Sequence, residues 1–140
     1  MLVVIAGCGR VGSGLALDLV NQGFEVAIID EDPEAFYLLG DDFPGEFVVG
    51  RALDWDVLRA AGIERAAAFV ACTDGDNTNI VIAQLAQKKW NIPCVVARVY
   101  DPLRAELFAK AGIRVVCPTR DVRVAMFDAV RACQLERGEG

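Results

Sequence analysis

Apolar residues along this chain fall into six short blocks: Leu2–Ala6, Glu25–Ile29, Glu46–Val49, Ala67–Ala71, Cys94–Val99 and Ile113–Cys117. Within each block the apolar positions run on with little alternation, and Val and Ile dominate. Strands covered on both faces read this way. Between the blocks lie stretches with helical spacing and recognisable ends. Asp32-Pro33, Asp54 and Asp101-Pro102 are expected N-caps, two of them with Pro at the first helical position. Gly23, Gly62 and Gly112, each followed by Phe or Ile, are expected to close helices. The segments AAGIER from Ala60 and KAGIRV from Lys110 repeat that helix-to-strand exit.

Strands alternating with helices predict an α/β fold: a doubly wound, mostly parallel six-stranded Rossmann-like sheet, order 3-2-1-4-5-6, with helices on both faces. In such a sheet the ligand crevice opens at the carboxyl ends of the first and fourth strands. The turn that leaves the first strand is GCGRVG, Gly7 to Gly12. It has the GxGxxG spacing in the strand-to-helix setting which that motif requires. Gly7 permits the tight turn, Gly9 removes any side chain between a pyrophosphate and the backbone, and Gly12 lets the helix sit close to the sheet. The helix amino terminus offers free N–H groups and partial positive charge, and Arg10 adds a full charge beside them. No GK[ST] follows, which excludes a Walker-type loop.

The second strand ends in Asp30, 18 residues after Gly12 and close to the spacing of an acid that binds a ribose 2′-hydroxyl. A carboxylate there repels a 2′-phosphate; like charges 4 Å apart cost about 4 kcal/mol at an effective dielectric near 20. Glu31 and Asp32 add to the repulsion. NAD(H) or an adenosine nucleotide (ATP, ADP or AMP) is therefore expected, and NADP is not. A third constellation, ACTDGDNTNIVIAQLAQ, follows the fourth strand. Thr73, Asp74 and Asp76 are expected at the second crevice wall and Asn77 at the mouth of the following helix, either as ligand contacts or with Thr73 or Asp74 as the N-cap of that helix. That helix is apolar nearly all round from Ile80 to Ala86, so it needs cover on more than one side.

Composition narrows the chemistry. The chain is 140 residues long, the size of one domain. A net charge of −6 argues against a nucleic-acid binder. No apolar run reaches bilayer-spanning length, and no signal sequence is apparent, so a cytoplasmic protein without membrane insertion is expected. There is no histidine, and the five cysteines form no CxxC pair. A zinc site or a histidine-based triad is accordingly not expected. Lys88, Lys89 and Lys110 fall on helices away from the crevice mouth, which leaves a dehydrogenase fragment without an evident acid or base.

The glycine turn, Asp30, VVGRALDWDVLRAAGIERA, VACTDGDNTNIVIAQLAQK and ARVYDPLRAELFAKAGIRVVCPT fall in one order that resembles the N-terminal lobe of regulator-of-potassium-conductance domains, the potassium-transport nucleotide-binding family that includes Trk-type uptake regulators. The resemblance runs from Leu2 to Thr119. It implies a lobe that binds NAD(H), ATP or ADP without chemistry and pairs into dimers or rings under a membrane potassium channel or transporter. It also implies that Gly7, Gly9 and Gly12 hold phosphate, that Arg10 approaches the distal phosphates and that Asp30 holds ribose, with Cys8, Val11 and Glu31 as further cofactor-binding candidates. Thr73, Asp74 and Asn77 would line the crevice. Arg98 would lie near the ligand or a subunit interface, where the alternative is a surface salt bridge.

Two departures stand out. The family carries Gly-Asp after the third strand, where this chain has Gly50-Arg51; the charge reversal makes Arg51, with Ala52, a candidate phosphate or ribose contact. Family members also continue into a second lobe, whereas this sequence ends after one more helix. The reading divides into a nucleotide-binding domain over residues 1–118, a crossover helix over 119–136 and a loose tail over 137–140. That helix, RDVRVAMFDAVRACQL, carries two apolar stripes: Val122, Met126, Ala129 and Cys133, and Val124, Phe127 and Val130. It is expected either to meet a neighbouring subunit or to face the core broadly. The leading expectation is a nucleotide-sensing regulatory domain and not an enzyme. The alternatives are an NAD-dependent oxidoreductase fragment or an assembly module with a non-binding crevice.

Overall fold

The computed structural model describes residues 1–138. Strands β1 (Leu2–Ala6), β2 (Glu25–Asp30), β3 (Glu46–Val49), β4 (Ala68–Ala71), β5 (Cys94–Arg98) and β6 (Arg114–Val116) form one sheet in the order β3-β2-β1-β4-β5-β6. Every pairing is parallel, so the sheet is doubly wound and Rossmann-like as the alternation predicts. β1 lies at the middle, with Val4, Ile5 and Ala6 fully buried. The sheet separates two apolar layers. One is built on α1 (Arg10–Asn21) and a 3₁₀ helix at Pro33–Leu39. The other is built on α2 (Trp55–Ala60), α3 (Asp76–Lys88) and α4 (Pro102–Ala109).

The helix ends follow their local signals. Asp32, Asp54 and Asp101 each accept a hydrogen bond from the backbone N–H two residues on. Gly23, Gly62 and Gly112 each turn the chain at φ +90°, where a side chain would be strained. The expected cap on α3 is a different matter. Neither Thr73 nor Asp74 caps it; the N-cap is Gly75, which offers no side-chain acceptor. Nor is α3 covered on every side. Ile82, Ala83 and Ala86 are buried toward the sheet, while Val81 stays exposed.

The last helix, α5 (Pro118–Gly138), begins at a turn bonded from Asp121 N–H to the Cys117 carbonyl and then stands clear of the domain. Val122, Val124, Met126, Phe127 and Val130 are each more than half exposed. The broad core-facing alternative is thereby excluded. The helix also runs past the expected end at 136, through residues 137 and 138 of the expected tail; residues 139–140 lie outside the described part. No helix among the described residues is long and apolar enough to cross a membrane.

Candidate functional site

At the carboxyl end of the sheet a cleft of about 400 Å³ opens over β1, between the ends of β2 and β4. The glycine turn forms its floor. Gly7 sits at φ +110°, and a Cβ on it would stand 2.5 Å from the Cys72 carbonyl oxygen. Gly12 packs against Gly7 in the same way. Gly9 differs: a Cβ there would meet nothing within 4 Å. The fold therefore does not require glycine at position 9; its bareness leaves room above the turn. Gly9 is the N-cap of α1 and makes no side-chain cap. The first N–H groups of that helix, which have no acceptor within it, are left free beside the cleft. α3 shares the feature, with a bare Gly75 N-cap that also lines the cleft.

Asp30 ends β2 at the cleft rim and already holds the loops on either side of it. Its Oδ2 accepts from Cys8 N–H at 2.8 Å and its Oδ1 from Asp32 N–H at 2.9 Å. A carboxylate has about four acceptor sites, so about two remain for a ligand hydroxyl. The residue that would grip a sugar is thus also the one that shapes the glycine turn. Glu31, Asp32 and Asp74 line the cleft with it, against one cation among the lining residues, Arg51. Arg51 pairs with Glu31 at 3.3 Å, with both side chains largely exposed, so the pair is weak and can open. Ala52 is buried at the same rim.

Cys8 and Cys72 back the turn. The Cys8 Sγ donates to the Ala35 carbonyl and the Cys72 Sγ to the Gly7 carbonyl. Burial, reinforced by the Asp30 carboxylate, pushes the Cys8 thiol up to about 11. Burial does the same for Cys72, to about 11, with Arg98 pulling the other way. Both are neutral thiols at physiological pH and add no negative charge beneath the turn.

The structure brings Gly7, Gly9, Asp30, Glu31, Arg51, Ala52, Thr73 and Asp74 together around the cleft and leaves the other candidates off its lining. Cys8 and Gly12 are buried behind the turn, and Arg10 and Val11 are exposed on the first turn of α1. Asn77 points outward and accepts from Arg104 at 2.7 Å; its neighbour Thr78 lines the cleft instead. A helix turns about 100° per residue, so the start of α3 at Asp76 rather than earlier decides which of the two faces inward. Arg98 forms no surface salt bridge. Its Nη2 donates to the Cys72 and Thr73 carbonyls, and its buried Nε has no partner. Asn79, which no sequence signal singled out, is fully buried and bonds to Thr73 and to the Arg98 carbonyl.

Comparison with known proteins identifies the family of the chain. Residues 3–118 match the TrkA-N domain. The chain is 50% identical over 120 residues to the Trk system potassium uptake protein TrkA of Streptomyces coelicolor, a match covering 86% of this chain and 54% of that protein. The chain thus spans about half the length of that relative. It is also similar to the solved Shewanella denitrificans Kef CTD in AMP-bound form, with TM-score 0.80 and 29% identity over 96% of this chain and 81% of that one. A GsuK structure bound to ADP aligns at TM-score 0.72 and 27% identity, covering 85% of this chain and 31% of its own. With the family match spanning residues 3–118, most of its length, the chain belongs to the TrkA-N domain family.

Proposed function

We propose that this chain is a nucleotide-sensing regulatory domain serving a potassium uptake system, and that it has no catalytic step of its own. The observation that carries the reading is the cleft itself: an uncapped helix amino terminus above bare Gly9, with the Asp30 carboxylate at its rim. The AMP- and ADP-bound relatives support a nucleotide as the occupant. NAD(H), ATP, ADP and AMP are the candidates; the acids at positions 30, 31 and 32 disfavour a 2′-phosphate. Diphosphate lies along the first turn of α1, ribose bonds to Asp30, and Arg51 leaves Glu31 to meet the ligand. A ligand that binds one arrangement of a dimer better than another shifts their populations, and a membrane potassium transporter at the cytoplasmic face reads that shift.

A thermal-shift panel of NAD⁺, NADH, NADP⁺, ATP, ADP and AMP tests this. A ligand at 100 times its dissociation constant stabilises by about 2.7 kcal/mol. Gly9→Val should abolish the shift and cost the unliganded domain only about 1 kcal/mol of N-cap preference, because a Cβ at this position meets nothing within 4 Å. Asp30→Ala is a poorer probe, since it also releases the Cys8 and Asp32 amides. No shift with any nucleotide would leave only the assembly module, and a preference for NADP⁺ would contradict the charge argument.

The partner of α5, in the same reading, is a second copy of this helix. A lone exposed amphipathic helix is marginal in water, and its apolar stripes are bare in the single chain. Sedimentation equilibrium should show a dimer at micromolar concentration, and Met126→Asp with Phe127→Asp should give monomer. A wild-type chain that stays monomeric under these conditions refutes the pairing.

A further inference from the structure

The excess acidity of this chain is confined to one stretch. Of its 20 acids and 14 bases, residues 31–50 hold six of the former and none of the latter: Glu31, Asp32, Glu34, Asp41, Asp42 and Glu46. The remainder is balanced, so this stretch carries the entire net charge of −6. All six acids are exposed. The same stretch forms one margin of the sheet. It comprises the 3₁₀ helix at Pro33–Leu39, a loop over 40–45, and β3, an edge strand paired only with β2. Backbone N–H and C=O groups of successive strand residues point to opposite sides. Gly50 N–H donates to the Asp30 carbonyl of β2, so Phe47 and Val49 turn their groups outward, to the open edge. Apolar side chains lie beside it. Phe36 meets Phe47 edge-on, with ring centres 5.1 Å apart. Tyr37 and Leu38 on the same helix, and Val49 on the strand, are each half exposed or more. Acids stand at both ends of the edge. Asp41, Asp42 and Glu46 come where β3 begins. Glu31 lies where it finishes, since Asp30 is in register with Val49 and Glu31 pairs with Arg51.

We propose that the β3 edge is a docking surface for an extended basic segment of another protein, one in which Lys or Arg alternates with apolar residues. The segment adds a strand beyond β3. Its main chain bonds to Phe47 and Val49, and its apolar side chains cover Phe36, Tyr37 and Val49. Its bases meet the acids at the two ends, which fixes the choice of partner more than it adds affinity. A second copy of β3 is not the occupant, because it would bring its own acids against these. The surface lies at the opposite margin of the sheet from β6 and α5, and it requires no nucleotide. It therefore stands or falls independently of the function proposed above.

Fluorescence anisotropy on the full chain, with the labelled peptide Lys-Val-Lys-Val-Lys-Val-Lys as probe, is the test. It should bind with a dissociation constant below about 1 mM and weaken as salt is raised. Glu-Val-Glu-Val-Glu-Val-Glu should not bind. Nor should Lys-Pro-Lys-Pro-Lys-Pro-Lys, which keeps the charge but cannot form a strand ladder. Asp41→Lys with Asp42→Lys, both in the exposed loop, should weaken the Lys-Val peptide about tenfold. Val49→Pro should weaken it by at least as much, since it removes an outward N–H and leaves the bonds to β2 in place; thermal unfolding checks that this variant folds. Equal binding of the Lys-Pro or the Glu-Val peptide overturns the proposal. So does undiminished binding to the charge-reversed chain, or no binding of the Lys-Val peptide to the wild type. None of these results bears on nucleotide binding.

Discussion

Gly12→Ala should cost this domain about 3 kcal/mol or more and lower its melting temperature by about 10 °C. A Cβ at position 12 would drive into the Gly7 carbonyl oxygen, with Cys72 Sγ 3.2 Å away. That oxygen belongs to a main chain already pinned on its other side, where Gly7 N–H donates to the Ile29 carbonyl at 2.8 Å. Gly7 has little room to retreat either, because a point one bond beyond its α-carbon already lies 2.5 Å from the Cys72 carbonyl oxygen. α1 would have to lift from the sheet and open the layer under Cys8 and Ala16. Gly14 provides the control within the same helix. A Cβ there meets nothing within 4 Å, so Gly14→Ala should stabilise by about 0.5–1 kcal/mol through helix propensity. Thermal unfolding of the two variants side by side is the measurement. If both melt near the wild-type temperature, the close helix–sheet approach at Gly12 does not exist.

Asn79→Ala should destabilise by a comparable amount, about 3 kcal/mol, since it strands buried polar groups rather than merely deleting contacts. Thr73 N–H loses its acceptor and the Arg98 carbonyl loses the side-chain donor it has in Asn79. The Thr73 carbonyl keeps Arg98 Nη2 and suffers less. The change also removes one of two side-chain ties between the carboxyl ends of β4 and β5, leaving the one that Arg98 makes to the Cys72 and Thr73 carbonyls. Urea unfolding should show the lost stability, and Thr73→Val, which leaves the amide bonded to the backbone, should lose much less. Equal stability of Asn79→Ala and wild type would mean that water replaces the amide and that the site is not buried.

Much of this architecture is legible along the chain because the forces that define it are local or periodic. The caps at Asp32, Asp54 and Asp101 bond two residues onward, so residue type and spacing suffice to find them. The strand order follows from parallel strands joined by right-handed crossovers, which leave few alternatives once six strands alternate with helices. Gly7, Gly9 and Asp30 are legible because the turn, the strand before it and the acid at the end of the next strand recur at a fixed spacing. Where reading the sequence fails, longer-range bonds intervene. Thr73 has the chemistry of an N-cap, but Asn79 takes its hydroxyl and its amide together. Asn77 and Thr78 are equivalent as polar residues at a helix start; the register set at Gly75 turns one outward and the other into the cleft. Arg98 has the look of a surface cation, yet two carbonyls at the end of β4 hold it beneath the wall.

The sequence alone determined the sheet, its order, the glycine turn and the acid opposite it, since these depend on apolar periodicity, backbone freedom and charge at short range. Only the tertiary structure decided which polar groups are already spent. Asp30 proves to be a brace for the turn as well as a candidate sugar contact, Thr73 a residue whose hydroxyl and amide both go to Asn79, and α5 an uncovered helix. Hydrogen-bond partners and solvent exposure arise from residues far apart in the chain meeting in space, and no local pattern records those meetings.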